Sequence, residues 1–314
     1  MSKNKQDEVI AIFCSDLHLS ATPPAYRSAE PDWFEAMLRP ITELKQLQEK
    51  HGCPIFCAGD LFDKWYGGPK EHSCELINWA MTHLPYMHCI PGQHDLPDHD
   101  LSQIERSAYW TLVQSKAITD LPGVNGFTSD KWPGLCIRAF PFGETIRPGK
   151  NLTGGDICIA IIHQYNWVEG HSYTDAPDKG LVSFRRRPEF EGYDLIVSGD
   201  NHMPFITLQD KAVFVNCGGF MRRKTDDHFD PCVWFLHKNA EVSRYRLDIS
   251  KDKYLETAKA QEMEKAPSTD LSGLMKRLEE LGACALDFVA AMKLDLETNP
   301  ARRGVESRIT KAME

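Results

Sequence analysis

The stretch VIAIFCSDLHL, residues 9–19, decides the fold, because six strand-forming residues run directly into the polar side chains of Asp16 and His18. The run Val9–Cys14 is apolar on both faces, which predicts a β-strand buried in the middle of a sheet. The carboxyl ends of parallel strands border the crevice in which α/β proteins bind their ligands. The sequence therefore predicts a carboxylate and an imidazole at such an edge.

Four more polar clusters follow predicted strands in the same way. The strands are expected at residues 55–57, 87–90, 157–162 and 195–198, and the clusters after them are Gly59-Asp60-Leu61-Phe62-Asp63, Gly92-Gln93-His94-Asp95, His163 and Gly199-Asp200-Asn201-His202. Taken singly, each cluster is a common turn signal. Together they would bring carboxylates and imidazoles into one crevice, a ligand set that suits Mn²⁺, Fe²⁺ or Zn²⁺. The lack of thiolates at these points argues against a structural zinc site.

The remaining pattern predicts the architecture. Further strands are expected at 135–140, 212–216, 232–236 and 242–247, and helices at 31–50, 71–84 and 101–116. Pro40 is expected to kink or split the first helix. After residue 135 the strands are separated by turns rather than by long helices. This favours an α/β fold in which two mixed β-sheets pack face to face, with helices outside.

The amino-acid composition changes at about residue 250, where Lys, Glu, Ala and Leu become frequent. Apolar residues at helical spacing between Pro267 and Gly282 predict one helix, and residues 284–296 a second. We therefore expect a large domain over residues 1–250 and a small helical C-terminal extension over 251–314.

Composition indicates an ordinary globular protein. Of the 314 residues, 42% are hydrophobic and 26% are charged, which is enough to build a normal core. We find no run of eighteen apolar residues and no signal peptide at the polar N-terminus, so we expect a cytoplasmic protein without a membrane partner. Ten cysteines without a CxxC pair predict buried free thiols rather than a disulfide framework.

The formal net charge of −9 argues weakly against a nucleic-acid-binding protein. Two basic clusters nevertheless lie beside the polar motifs, Arg185-Arg186-Arg187 and Arg222-Arg223-Lys224. These side chains either contact a nucleic-acid backbone or form solvated, salt-bridged loops, and the sequence leaves both interpretations open.

The ordered set of motifs resembles the calcineurin-like metallophosphoesterases, whose pattern is D-x-H, then G-D-x-x-D, then G-N-H-D or G-N-H-E, then a lone H, then G-H-x-H. The resemblance spans roughly residues 10–218. The forms Asp16-Leu17-His18-Leu19 and Gly59-Asp60-Leu61-Phe62-Asp63 are most similar to SbcD-type DNA-repair exonucleases, including phage-encoded members. A phage-encoded protein would act in the cytoplasm of a bacterial host.

The resemblance implies a site with two divalent metal ions, with Mn²⁺ as the first expectation and Fe, Zn or Mg as alternatives. Asp16, His18 and His202 would hold the first ion, Asp60 would bridge both, and Gln93, His163 and Asp200 would hold the second. His94 would contact the phosphate and protonate the leaving oxygen. Asp95 would orient His94, and Asp63 would support the ligands from behind, with simple loop capping as the alternative for both aspartates.

Two positions depart from the family pattern. Gln93 stands where the pattern has Asn, and Asp200 stands where it has the first His of G-H-x-H. Both residues belong to the second metal position, which gains oxygen ligands and one negative charge. The hypothesis is a preference for a hard ion such as Mn²⁺ over Zn²⁺ at this position, and the competing interpretation is a weak or empty second position.

The resemblance implies a nuclease of the SbcD type that hydrolyses DNA phosphodiester bonds by exonuclease or endonuclease action. Nucleases of this type dock a helical segment on an SMC-like ATPase, a role open to residues 251–314, and a homodimer is a further expectation. The alternative is a small-molecule phosphoesterase or pyrophosphohydrolase of the nucleotide or UDP-sugar-lipid type. UDP-diacylglucosamine pyrophosphohydrolases share the first two motifs but usually have Arg where His94 stands.

Overall fold

The computed structural model of the chain describes residues 8–67, 74–121, 134–149, 156–171, 187–209, 211–223 and 229–256. Within them lie three α-helices, α1 (Trp33–His51), α2 (Cys74–His83) and α3 (Ala108–Gln114). The strands are β1 (Val9–Cys14), β2 (Ile55–Cys57), β3 (His88–Cys89), β4 (Thr119–Asp120), β5 (Leu135–Phe140), β6 (Ile157–His163), β7 (Leu195–Gly199), β8 (Phe205–Gln209), β9 (Ala212–Asn216), β10 (Cys232–His237) and β11 (Val242–Arg246).

The strands form two mixed sheets, which confirms the predicted fold class. The first sheet has the order β11-β10-β1-β2-β3-β4, and the second has the order β5-β6-β7-β9-β8. In the first sheet β1 to β4 are parallel, while β10 runs antiparallel to β1 and β11 antiparallel to β10. In the second sheet only β8 is antiparallel to its neighbour.

The two sheets pack face to face because alternate residues of each central strand point toward the other sheet. In β1, Ala11 and Phe13 lie in one apolar cluster with Ile159 of β6 and Val197 of β7. The intervening residues of β1 pack instead with helices α1 to α3 in a second cluster. A third cluster covers the outer face of the second sheet. The core is therefore buried on both faces of each central strand, as the apolar runs predict.

The structure refines the predicted elements. Helix α1 continues through Pro40 as one helix. Asp32 caps its start by accepting the backbone N–H of Glu35, and Gly52 caps its end in a left-handed conformation. The predicted helix 101–116 is divided, because a 3₁₀ helix at Leu101–Arg106 gives way to α3. Strand β8 was not predicted; it lies at a sheet edge, where a mixed polar and apolar pattern is tolerated.

The loops after β1 and β2 leave the first sheet side by side. Cys14 pairs with Cys57 at the end of the parallel ladder, and hydrogen bonding continues beyond it. The backbone N–H of Asp16 donates to Gly59 O at 2.9 Å, and that of His18 donates to Asp60 O at 3.1 Å. The backbone groups of the two loops are paired with each other, so the loops hold each other in place.

The described residues contain no helix long and apolar enough to cross a membrane. The nine cysteines among them are all free, and most are buried, as predicted. Of the predicted C-terminal extension, only residues 251–256 are described. The helices predicted at 267–282 and 284–296 lie outside the described residues, and the domain boundary at 250 stays a prediction.

Candidate metal centre

Four of the predicted ligand residues occupy strained backbone conformations directly after their strands. Asp16, His18, Asp60 and Asp200 have φ angles of 54°, 48°, 54° and 84°. Residues other than glycine rarely adopt the left-handed region, and each such conformation costs about 1–3 kcal/mol. The fold sustains this strain where the chain turns sharply away from the strand ends. The strained residues mark the crevice that the sequence predicts.

A first candidate ligand group consists of Asp16, His18 and His202. The Nε2 atoms of the two histidines lie 3.0 Å apart. Asp16 Oδ1 lies 3.8 Å from His18 Nε2 and 3.7 Å from His202 Nε2. Atoms that each lie about 2.0–2.2 Å from one cation are separated by such distances. These three residues, from the loops after β1 and β7, can therefore bind one ion.

A second candidate group consists of Asp16, Asp60 and His163. His163 Nε2 lies 3.4 Å from Asp60 Oδ2. The other ring nitrogen of His163, Nδ1, pairs with the carbonyl of Ala58 at 2.6 Å. A histidine that donates through one nitrogen to a backbone carbonyl presents the other as a metal ligand. Asp60 Oδ2 also lies 3.8 Å from His18 Nε2, so this oxygen faces both groups.

Several inaccessible atoms at this centre have no hydrogen-bond partner among the described residues, and they include Asp60 Oδ2, His163 Nε2 and Gln93 Oε1. Burying an unpaired polar group costs about 1–3 kcal/mol, so native structures rarely leave several of them together. A divalent cation would satisfy a carboxylate oxygen, an imidazole nitrogen and an amide oxygen at once. The residues present therefore fit a metal centre.

The charge states of two buried groups, His18 and Asp60, agree with this fit. Burial lowers the pKa of His18, so its imidazole is neutral and can bind a cation. Burial also raises the pKa of Asp60, but without metal the positive charge of protonated His163 outweighs it and holds the pKa of Asp60 below the usual range. A bound cation would take the place of that proton on His163. Asp60 is therefore ionised at neutral pH, as a ligand to a cation must be.

The structure brings the two unusual residues of the second position together. Gln93 Nε2 donates a hydrogen bond to Asp200 Oδ1 at 2.6 Å. The backbone N–H of Asp200 lies 3.2 Å from both carboxylate oxygens of Asp16. Asp200 lies outside the compact groups of His and carboxylate ligands found among the described residues. The amide and the carboxylate at these two departures from the family pattern therefore form one paired unit.

Exchanging this pair for the residues of the family pattern is expected to change metal selectivity. The double variant Gln93→Asn, Asp200→His replaces a carboxylate by an imidazole and removes one negative charge. We expect its zinc content to rise relative to manganese, because imidazole favours Zn²⁺ and carboxylate favours Mn²⁺. The measurement is elemental analysis of wild type and variant purified without added metal. Identical stoichiometry and selectivity in the two proteins would contradict the expectation.

His94 lies beside the first ligand group. Its ring contacts that of His18 edge-on at 4.9 Å between centroids. Its Nδ1 lies 2.9 Å from the carbonyl oxygen of Asp63, and its backbone N–H donates to Asp60 Oδ1 at 2.9 Å. The contact with Asp63 leaves Nε2 as the nitrogen that can exchange a proton with a substrate.

Asp63 supports this arrangement through its side chain as well. Its Oδ1 lies 3.5 Å from His18 Nδ1 and forms an ion pair with Arg223. An ionised carboxylate behind a histidine ligand fixes the orientation of the ring. The position of Asp63 agrees with the supporting role that the resemblance implies. Sequence reasoning missed Arg223 as its partner, because 160 residues separate the two.

The structure places the Asp95 carboxylate on backbone groups rather than on the His94 ring, and its predicted role in orienting His94 stays a prediction. The buried carboxylate of Asp95 accepts backbone N–H groups from Leu61, Phe62 and Gly92 at 2.9–3.1 Å. Burial, together with the charge of Asp60, raises the pKa of Asp95 to about 7. The turn after β3 directs this side chain into the loop after β2. Asp95 therefore ties two ligand-bearing loops together, which is the capping alternative.

Glycines at the strand ends are needed to bring the ligands this close. A methyl group at Gly92 would overlap the carboxylate and the backbone nitrogen of Asp60. One at Gly59 or Gly199 would overlap the ring of His163. The glycines that begin three of the polar clusters, Gly59, Gly92 and Gly199, are predicted from the sequence only as turn signals. Their second function, close approach of neighbouring loops, follows from the packing.

The variant Gly92→Ala is expected to inactivate the site by steric displacement. The φ angle of Gly92 is −94°, which alanine adopts freely, so the effect comes from the overlap with Asp60. We expect at least a hundredfold loss of phosphoesterase activity and a loss of about 1–3 kcal/mol in unfolding free energy.

The control for this variant is Gly170→Ala, a positive-φ glycine with open space around the added methyl group. It should lose some stability from backbone strain but keep its activity. Activity and thermal unfolding measured on both variants test the expectation. Full activity in Gly92→Ala would show that Asp60 does not need its present position.

A buried asparagine network holds the His202 loop and was not predicted. Asn201 Nδ2 donates to the carbonyl oxygens of Asn166 and His171 at 2.8 and 2.9 Å, and its Oδ1 accepts the backbone N–H of Met203. Asn216 Nδ2 donates to the carbonyl oxygen of Asn201. The only signal in the sequence is the Asn between Asp200 and His202, which is also an ordinary turn residue.

The basic clusters are described only in part, since Arg185, Arg186 and Lys224 lie outside the described residues. Arg222 forms an ion pair with Asp230, and Arg223 pairs with Asp63. Arg187 donates to Glu189, Asn166 and Gln164. These pairings correspond to the salt-bridged interpretation of the two clusters. Substrate contact by these six residues stays a prediction.

Comparison with known proteins gives the family. The sequence model of the calcineurin-like phosphoesterases matches residues 11–204. No curated protein matches the chain. Similar solved structures include sulfate thiohydrolase SoxB of Thermus thermophilus in complex with glycerol, at 12% identity and a TM-score of 0.44. That match covers 85% of this chain and 61% of SoxB, so the chain spans about three fifths of that protein.

Two further structures are similar to the chain at a comparable level. Calcineurin-like phosphoesterase YfkN from Bacillus subtilis has 12% identity and a TM-score of 0.44, with 80% of this chain and 94% of YfkN covered. An archaeal phosphodiesterase has 10% identity and a TM-score of 0.36, with 76% and 99% covered. At these identities and scores, the likenesses add nothing to the assignment.

The assignment rests on the sequence model, which spans more than half of the chain. Its range contains Asp16, Asp60, His94, His163 and His202. A finer likeness to SbcD-type nucleases does not follow from this match. The two mixed sheets and the ligand groups at their strand ends agree with the assignment to the calcineurin-like phosphoesterases. The chain therefore belongs to the calcineurin-like phosphoesterase family.

Proposed function

We propose that this phosphoesterase is a metal-dependent nuclease of the SbcD type, which hydrolyses DNA phosphodiester bonds with Mn²⁺. The observation that carries the metal-dependent chemistry is the position of Asp60 Oδ2, 3.8 Å from His18 Nε2 and 3.4 Å from His163 Nε2. A single carboxylate oxygen that faces imidazoles from both sheets supports two neighbouring cation positions with one shared ligand. Pairs of cations at about 3.5–4 Å are used in phosphoester hydrolysis.

The mechanism assigns separate tasks to the side chains. Divalent cations bound at this centre would supply Lewis-acid polarisation of the phosphoryl group and a water nucleophile of lowered pKa. Asp16, Asp60 and the three ligand histidines would hold those cations and so position the phosphoryl group. His94, anchored by the carbonyl of Asp63, donates a proton from Nε2 to the departing oxygen.

Two features support DNA as the substrate: the form of the motifs and a basic side chain, Arg223, near the crevice. The motifs around Asp16 and Asp60 are most similar to those of SbcD-type nucleases. Arg223 places a guanidinium next to the loop that carries Asp60 and Asp63. Guanidinium groups attract the phosphate backbone and supply much of the affinity for nucleic acids.

A substrate panel tests the proposal. Linear duplex DNA, single-stranded DNA, a nucleotide monoester and bis-p-nitrophenyl phosphate are each incubated with purified protein and Mn²⁺. Asp60→Ala serves as the inactive control on every substrate, and His94→Ala serves as the control with impaired activity on DNA. We expect both DNA substrates to be degraded by the wild type alone, and removal of metal by chelation to stop the reaction.

The alternative function is an outcome of the same panel. DNA left intact while the monoester or the small diester is cleaved would favour a small-molecule phosphoesterase or pyrophosphohydrolase. Cleavage that persists in Asp60→Ala would point to a contaminating nuclease and would contradict the proposal.

A further inference from the structure

A cleft of about 740 Å³ adjoins the second ligand group and is not used by the mechanism above. His163 and Asp200 line it, together with residues 140–146, which comprise the last residue of β5 and the segment after it. Arg187 borders it as well. Its volume is in the range of sites that bind small molecules or parts of larger ones. Any group attached to a phosphoryl held at the metal centre can therefore extend into this cleft.

The cleft has an apolar floor and an anchored aromatic side chain. Phe140 and Ile162 line it and are almost fully buried. Phe142 is half-buried, and its backbone N–H donates to Pro91 O at 3.2 Å. The Phe142 ring lies edge-on to that of His99, at 6.2 Å between centroids. This aromatic group is thus fixed to the segment that carries Gln93.

The contact with His99 comes from a strained segment. Asp98 and His99 are consecutive residues with φ angles of 53° and 58°. His99 Nδ1 pairs with the backbone oxygen of Gln93 at 3.0 Å, which holds the ring in place. The chain thus maintains an unfavourable backbone conformation where the wall of the cleft meets the ligand loop.

The polar side of the cleft is rigid as well. The Arg187 guanidinium donates to Glu189 Oε1, to Asn166 Oδ1 at 3.1 Å and to Gln164 Oε1 at 3.2 Å. It also stacks on the ring of Phe190 at 4.8 Å. A guanidinium held on three acceptors is a preorganised planar donor, and the paired Gln164 presents its amide nitrogen.

The charges of the cleft argue against a second phosphate as its occupant. Among the described lining residues Arg187 is the one Lys or Arg side chain, while Glu144, Glu189 and Asp200 are acidic. The net negative charge would therefore repel a second phosphate, whereas it would not repel an uncharged aromatic group. An apolar floor, one aromatic wall and a few fixed hydrogen-bonding groups suit a nucleobase with its sugar.

We propose that this cleft binds the nucleoside part of the substrate, with the base stacked on Phe142 and its edge facing Arg187 and Gln164. The proposal rests on the phosphodiesterase function proposed above and deepens it, since it names the group next to the scissile phosphate. The nucleoside comes either from a DNA strand or from a small nucleotide ester.

The kinetic test compares two esters with the same leaving group. Thymidine 5′-monophosphate p-nitrophenyl ester carries a nucleoside, and bis-p-nitrophenyl phosphate does not. We expect Phe142→Ala to lower the ratio of kcat/KM for the first ester to that for the second by about tenfold, because stacking of one base contributes about that much. Phe142→Trp should restore the ratio. Tyr86→Ala, which removes an exposed aromatic side chain outside the cleft, should leave it unchanged.

A binding measurement separates this proposal from the proposed function. Thymidine is titrated calorimetrically into the wild type and into Phe142→Ala. We expect the Kd of thymidine to be about tenfold higher for the variant. Unchanged thymidine binding together with an unchanged kinetic ratio would overturn the inference even if the protein proves to be an active phosphodiesterase. Thymidine binding that depends on Phe142 in a protein inactive on every ester would keep the inference and refute the function.

Two further substrates distinguish the source of the nucleoside. Thymidylyl-(3′→5′)-thymidine represents a small ester, and a single-stranded oligothymidylate represents DNA. Slower cleavage of either by Phe142→Ala supports the nucleoside cleft and identifies its source. Wild-type rates on both would count against it.

Discussion

Asp60→Asn is expected to lower phosphoesterase activity by about a thousandfold or more on every substrate. The substitution keeps Oδ1 as the acceptor for the backbone N–H of His94 but replaces the charged oxygen that faces His18 and His163. Bound cations contribute several kcal/mol to stabilisation of the transition state, and each 1.36 kcal/mol changes the rate about tenfold. Activity and bound metal per chain are measured on the same preparation.

The metal content of Asp60→Asn should fall with its activity, since one shared ligand serves both groups. Asp248→Asn, at an exposed aspartate outside the crevice, is the matched control and should retain both metal and activity. The midpoint of thermal unfolding without metal should fall in Asp60→Asn, because the substitution leaves the charge of His163 without the carboxylate that faces it. Full metal content with full activity would refute the shared role of Asp60.

His94→Ala is expected to have the second large effect, and that effect should depend on the leaving group. Proton donation by a positioned side chain contributes about 10²–10⁴-fold to the rate. DNA releases an alkoxide and needs that proton, whereas p-nitrophenolate departs without it. We therefore expect kcat to fall by about 10²–10⁴-fold on DNA, and by much less on bis-p-nitrophenyl phosphate.

The metal content of His94→Ala should stay at the wild-type level, because Asp16, His18, Asp60 and His163 are unchanged. His237→Ala, on β10 and away from the crevice, is the matched control. Equal losses on the two substrates would mean that His94 acts through metal binding or folding rather than by proton transfer. Loss of bound metal would lead to the same conclusion.

Both predictions depend on a rigid arrangement of loops. Asp95 is buried in the loop after β3, yet its carboxylate binds backbone N–H groups of the loop after β2. The pKa of Asp95 is raised to about 7, mainly by burial, so the group is neither a fixed anion nor a permanent acid near neutral pH. Its task is positional, because it holds the turn that aligns His94 with Asp60.

Much of the fold could be predicted because its central strands are unbroken apolar runs. Val9–Cys14 and Ile55–Cys57 are apolar throughout and were predicted with the limits that the structure shows. A strand buried on both faces must be apolar at every position, so its ends are visible as the first polar residues. Strand β8 was not predicted because it is not buried on both faces. Its apolar residues Ile206 and Leu208 are exposed, and polar residues alternate with them.

Helical elements were predicted less exactly, for reasons of packing. Pro40 was expected to kink or split α1, but α1 is one helix whose apolar residues pack on the first sheet. The expected helix at 101–116 is divided by Ser107, whose side chain accepts the backbone N–H of Trp110 and starts α3. Tertiary burial and local capping decided both cases.

The sequence by itself determined the fold class, the family and the residue types at the strand ends. These follow from apolar runs that stop at Asp16, Asp60, Gln93, His163 and Asp200, since a buried strand can present polar groups only where it ends. The order of the motifs along the chain carries this information without any knowledge of distances.

The tertiary structure alone decided which partner each polar group has. Asp95 binds backbone groups rather than His94, Arg223 pairs with Asp63, and Phe142 rests against His99. These contacts join segments whose separation in sequence carries no signal. They form because burial leaves each polar or aromatic group only the neighbours that the packed sheets provide.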